Sequence, residues 1–92
     1  MIISNEPGYY KAGEFGIRIE NLVAVISSLG KYLAFETITC VPIDTRLVDA
    51  FMLSREEKEW LNKYHAWVLS RLSEELEIHE RAWLKERCAA IF

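Results

Sequence analysis

The sequence predicts an α+β fold: an antiparallel β-hairpin sheet followed by two C-terminal helices. Three observations carry this. β-Branched and aromatic residues alternate through the first forty positions, interrupted by short glycine-containing loops. Pro42 closes that region, because proline cannot donate to a sheet ladder. Beyond Ser54 the apolar residues recur at helical spacing.

The elements follow in order. Met1 to Asn5 reads as a short apolar strand. Glu6 precedes a proline and is pushed into extended backbone, so it stands at a strand end. Pro7-Gly8 suits the centre of a tight turn, with Gly8 free to take positive φ. Phe15 to Ser27 reads as one long strand, Ser28 to Lys31 as a turn, and Tyr32 to Val41 as its antiparallel partner. On the long strand, Phe15, Ile17 and Ile19 share one face, which the helical half is expected to cover. Gly16, Arg18 and Glu20 share the other.

Leu47 to Leu53 is a connection with room for one helical turn. Ser54-Arg55-Glu56-Glu57 is a capping box, serine and glutamate each reaching the other's amide. The helix that follows presents Trp60, Leu61, Tyr64, Trp67, Val68 and Leu72. A second, about Glu77 to Ala90, carries Ile78, Ala82, Trp83 and Leu84; with no Gly or Pro between them, one bent helix is the alternative. The tryptophans Trp60, Trp67 and Trp83 read as core, and His65 and His79 as ordinary helical residues.

Ninety-two residues allow one small domain, residues 1–92, which buries roughly two thirds of its unfolded surface or less. The formal net charge is −3, and no basic patch interleaved with aromatics occurs, which argues against nucleic acid. The longest apolar run, near Leu22 to Ile26, is too short to span a membrane, and no signal peptide is recognisable. Cys40 and Cys88 lack metal-ligand spacing and are expected to be free, buried or half-buried thiols of a cytoplasmic protein rather than a disulfide.

Glu6 and Glu20 are the candidate site. Each lies where a carboxylate needs a defined partner: Glu6 at a strand end, Glu20 within a β-branched stretch. On composition alone they are two strand-end acids held by backbone amides or by Arg18. Set close together across a hairpin, they also suit a shared divalent cation, for which carboxylate oxygens are hard donors.

The segments Ser4 to Tyr10, Gly16 to Asn21, Phe35 to Thr39, Val41 to Asp44 and Trp60 to His65, in this order, resemble the Xaa-Pro aminopeptidases (aminopeptidase P), metallopeptidases of the pita-bread fold. The resemblance implies a partial pita-bread fold and a site for two divalent metal ions, usually manganese, held by two aspartates, one histidine and two glutamates. Glu6 and Glu20 match the two glutamates. Tyr10 and Arg18 match residues that support the site from behind the ligands.

The aspartates and the histidine belong to segments that would precede Met1. The chain is therefore expected to be the C-terminal part of a catalytic domain. The parent enzyme would release the residue before proline from peptides with proline in second place. No residue here is assigned a direct catalytic role, and the isolated chain is expected to be inactive, with metal absent or weakly bound. Self-association is expected through apolar sheet and free strand edges. The alternative is a non-catalytic interaction module on the same fold. Retention of Glu6, Tyr10, Arg18 and Glu20 counts against it.

Overall fold

The computed structural model describes all 92 residues, Met1 to Phe92. The chain folds as two units, residues 1–39 and 40–92. The first is all β. Strands β1 (Ile2–Asn5), β4 (Asn21–Ser28) and β5 (Tyr32–Thr37) form a three-stranded antiparallel sheet in the order β1-β4-β5. Strands β2 (Gly8–Lys11) and β3 (Phe15–Arg18) form a two-stranded ladder.

The expected long strand Phe15 to Ser27 is thus two strands with Ile19 and Glu20 between them. The break arises on the facing segment. Pro7 has no N–H to donate, so only the Ile19 N–H to Pro7 carbonyl bond, 3.2 Å, links the chains there. The expected Pro7-Gly8 turn is also corrected. The chain runs straight through it into β2 and reverses at residues 12–14, where Gly13 takes φ +73°. Glu14 N–H donates to the Lys11 carbonyl across that turn, and the two side chains pair at 3.0 Å.

β5 ends at Thr37 rather than at Val41. The reason is a change of partner: the N–H groups of Ile38 and Thr39 both turn to the Leu22 carbonyl, while Thr39 Oγ1 accepts the Leu22 N–H at 2.7 Å. Val23 and Asn21 are buried. Phe15, Ile17 and Ile19, expected to be covered, stay between 40% and 55% exposed. Tyr32, Leu33 and Phe35 on β5 are also exposed, and β1 and β5 are free edges. The expected self-association rests on these surfaces.

The second unit is helical. Asp44 and Asp49 cap two 3-10 turns, Thr45–Leu47 and Ala50–Met52, by accepting the Arg46 and Phe51 N–H groups. Helix α1 (Arg55–Leu72) starts at the expected capping box: Ser54 Oγ accepts the Glu57 N–H at 3.1 Å, and Glu57 accepts the Ser54 N–H at 2.8 Å. That box holds the Glu57 carboxyl below the usual carboxylate range. A 3-10 turn at Ser73–Glu75 separates α1 from α2 (Ile78–Arg87), so the helices are two. The separation has a local cause. Glu77 takes extended backbone (ψ 165°) and forms a second capping box with Glu80.

The core of this unit is Tyr64, Val68, Leu84 and Cys88, with Cys40, Ile43, Trp67, Leu69, Leu72 and Leu76 packed around them. Trp60 and Trp83 are half exposed, contrary to the core reading, and Ile78 is exposed. Trp60 instead lies flat on Tyr64, ring centroids 5.5 Å apart. Two residues of α1 latch the extended segment Val41–Ile43. Tyr64 Oη donates to the Val41 carbonyl at 2.8 Å, and His65 Nε2 accepts the Ile43 N–H at 3.0 Å. Near the C-terminus, the Asn62 side-chain amide pairs with both the N–H and the carbonyl of Ile91 at 2.9 Å, as a strand neighbour would.

Candidate metal centre

The two ladders of the first unit share one register. Asn5 faces Asn21 in the first and Gly8 faces Arg18 in the second. Carrying that register across the gap sets Glu6 opposite Glu20. Because side chains alternate, Ser4, Glu6, Gly8 and Tyr10 lie on the same face as Gly16, Arg18 and Glu20. Chain reversal at residues 12–14 and the broken ladder at Pro7 therefore bring both acids to one point.

The contacts there are polar and specific. The Glu6 carboxyl is hydrogen-bonded by the Ser4 side chain and by Glu20. These two bonds, with the positive charge of Arg18 behind them, hold it below the usual carboxylate range. Arg18 Nε lies 3.3 Å from Glu20 Oε2. The Arg18 guanidinium also bonds the Tyr10 phenol. That bond and the Glu20 charge raise its proton affinity further, so it is a permanent cation. Glu20 is not enclosed by the apolar stretch as expected. Its side chain is 42% exposed, because the strand is interrupted at that residue.

Two glycines complete the arrangement. A Cβ on Gly8 would lie 2.7 Å from Tyr10 Oη, and one on Gly16 would lie 2.7 Å from Tyr10 Cδ1. Both contacts are closer than carbon atoms tolerate, so these glycines make room for the Tyr10 ring, which lies over the Gly8 and Gly16 backbones. Gly8 thus serves close approach, not positive φ. Sequence reasoning missed Ser4 and both glycine roles. The period-two alternation that groups residues 4, 6, 8 and 10 was the signal available.

Replacing Gly16 by alanine should swing the exposed Tyr10 ring aside and break its bond to Arg18, with little loss of fold stability. The Tyr10 ring and Arg18 side-chain resonances should shift together. Unchanged resonances in a folded Gly16→Ala chain would show that the ring does not depend on the glycine.

The structure brings together all four residues expected at the site: Glu6, Tyr10, Arg18 and Glu20. It offers no group of three or more His, Cys, Asp or Glu side chains suited to a metal. The donor set fits two carboxylate arms of a hard-cation site, already in contact with each other, and no more than that. His65 and His79 lie in the helical unit, with His65 committed to the Ile43 N–H.

Comparisons with known proteins bear on the family and the fold. A family model described as the C-terminal region of peptidase_M24 matches residues 31–91, a span that lies beyond both glutamates. The curated relatives extend over them. "Probable Xaa-Pro aminopeptidase P" of Coprinopsis cinerea is 45% identical over 100 aligned positions, covering 99% of this chain and 16% of that protein. "Aminopeptidase P2" of Arabidopsis thaliana is 49% identical over 84 positions, covering 84% of this chain and 12% of that protein.

Among solved structures, the X-prolyl aminopeptidase of Caenorhabditis elegans is described as a cytosolic enzyme with a di-nuclear active site. It superposes with a TM-score of 0.87 at 39% identity over 98% of this chain and 16% of its own. The strands and helices are thus those of one part of that fold, and the chain spans about a sixth of the length of the relatives it matches most fully. No helix is long and apolar enough to cross a membrane. By sequence and by structure, the chain belongs to the family of the C-terminal region of peptidase M24, within its aminopeptidase P branch.

Proposed function

We propose that this chain is the C-terminal piece of a cytoplasmic, metal-dependent Xaa-Pro aminopeptidase, and that Glu6 and Glu20 are two carboxylate ligands of its dinuclear centre. One observation carries the reading: the shared register that sets Glu6 opposite Glu20 on one face of the hairpin. A divalent cation between two facing carboxylates would turn their mutual repulsion into attraction. The other ligands would come from elsewhere in the enzyme. Manganese is the metal that the family resemblance implies, and carboxylate oxygen, a hard ligand, suits it.

When bound, the metal pair supplies a Lewis acid and an activated water for attack on the scissile carbonyl. The residues of this chain position and neutralise. Ser4 donates to Glu6 and limits its rotation. Arg18 holds Glu20 from one side and is itself held by Tyr10, so neither carboxylate is left to swing freely. The substrate is a peptide with proline in second position. Two carboxylates form an incomplete coordination shell, so the 92-residue chain alone should bind manganese weakly and turn nothing over.

The test is a chimera in which this chain replaces the matching part of the Caenorhabditis elegans enzyme. It should cleave an Xaa-Pro peptide. Glu6→Gln or Glu20→Gln should lower kcat/KM by well over 100-fold, while Arg18→Lys, which acts through Glu20, should cost about 10–100-fold. Metal content, measured on the purified chimeras, should fall in the glutamine variants. An active chimera whose glutamine variants keep their metal and stay within tenfold would overturn the assignment.

A further inference from the structure

The chain holds two thiols that the metal chemistry does not use, and the fold brings them to the same place. Cys88 is the residue at the C-terminal end of α2. Its N–H closes the last helical turn on the Leu84 carbonyl at 2.9 Å, and its side chain belongs to the core of Tyr64, Val68 and Leu84. Cys40 is 48 positions earlier and packs against that same core. Its placement is enforced by its neighbour. Val41 is held on both its N–H and its carbonyl by the Tyr64 hydroxyl, and Tyr64 is itself a core member. The latch that ties the 41–43 segment to α1 therefore also carries Cys40 to the core that holds Cys88.

Both thiols are free in the structure. We propose that Cys40 and Cys88 are an oxidisable pair, forming an intramolecular disulfide that clamps the 41–43 segment to the end of α2. The proximity has an electrostatic signature as well. Burial raises the proton affinity of the Cys88 thiol, and the Cys40 sulfur adds to the rise.

That asymmetry orders the chemistry. Cys40 is only half buried. As thiolate it attacks an oxygen of hydrogen peroxide; the O–O bond breaks, a sulfenic acid forms on Cys40, and the departing hydroxide takes a proton to leave as water. The Cys88 sulfur then attacks the Cys40 sulfur. The S–S bond forms, the S–OH bond breaks, and a second water leaves with the Cys88 proton. Two thiols lose two electrons in total and the peroxide gains them. Bridging needs the two Cα atoms within about 4.4–6.8 Å of each other. Because the closed loop is long, the bridge removes much unfolded-chain freedom, and the oxidised protein should resist denaturation more than the reduced one.

The test uses the 92-residue chain treated with hydrogen peroxide and analysed by mass spectrometry under non-reducing conditions. The expected product is a monomer lighter by two hydrogens, with one peptide linking Cys40 to Cys88 and no free thiol after denaturation. Its urea midpoint should rise and return on addition of a dithiol reductant. Cys40→Ser and Cys88→Ser chains should show neither the linked peptide nor the shift in midpoint. Oxidation that stops at sulfinic acid on Cys40 with Cys88 still free would overturn the proposal. Cross-linking only between chains, or a linked peptide with an unchanged midpoint, would also overturn it.

Discussion

Replacing Leu84 by alanine should lower the stability of the helical unit by about 2–5 kcal/mol, the usual cost of emptying a buried leucine site. Leu84 is 2% exposed and sits among Tyr64, Val68 and Cys88. Those neighbours lie on two helices and cannot all collapse inward, so much of the vacated space should remain as cavity. A chain of this size has only about 5–15 kcal/mol in total, and small units lie at the low end. The Leu84→Ala protein should therefore be largely unfolded near body temperature. Urea denaturation followed by tryptophan fluorescence reads this directly, since Trp60, Trp67 and Trp83 all lie in that unit. Leu84→Met should cost under about 1.5 kcal/mol. A Leu84→Ala midpoint indistinguishable from the parent would refute the core described above.

The second large effect should come from acid acting on His65. This imidazole is fully buried, accepts the Ile43 N–H through Nε2, and has no hydrogen-bond partner on Nδ1. The neutral ring must then carry its proton on Nδ1. Protonating Nε2 would bury an unpaired charge and remove the acceptor that holds Ile43. Burial accordingly pushes the His65 pKa down, with the Ile43 bond offsetting part of the shift.

The sign follows from linkage. The unfolded chain takes up a proton near the ordinary histidine value of about 6.5, before the folded chain does. Stability is fully present above that value and is lost as pH falls from it toward the folded-state pKa. The depressed carboxyls of Glu6, Asp44 and Glu57 act in a separate window, below about pH 4. Denaturation midpoints taken from pH 8 to 5 should fall in the parent and stay level in His65→Gln, whose amide oxygen can still accept the Ile43 N–H. His65→Ala should lose about 1–3 kcal/mol at pH 8, the cost of an orphaned buried donor. Parallel pH profiles for parent and His65→Gln would show that this ring does not sense the solvent.

Some of this was readable residue by residue. The Ser54–Glu57 capping box depends on four consecutive positions and formed as written. The pairing of Arg18 with Glu20 depends on strand alternation over three residues, and it formed too. The Glu77–Glu80 box that separates α1 from α2 is equally local, yet glutamate is an uncommon cap and gives a weak signal. The position of the turn is not a local property. Pro7-Gly8 and Ala12-Gly13-Glu14 both have turn chemistry, and pairing of Gly8 with Arg18 decided between them. His65 gave no sign of its burial, because a histidine inside an amphipathic helix reads the same on either face until a partner packs on it.

The amino-acid order by itself determined which groups exist and what they prefer locally: two acids beside extended backbone, a guanidinium two residues from one of them, caps at helix starts. Those preferences act over a few bonds and need no distant partner. Tertiary structure alone decided where the long strand breaks, that Tyr10 rests over two glycines, and that His65 and two far-apart thiols meet the same α1 latch. Cross-strand register and burial are set by contacts between residues tens of positions apart, and only the closed chain supplies them.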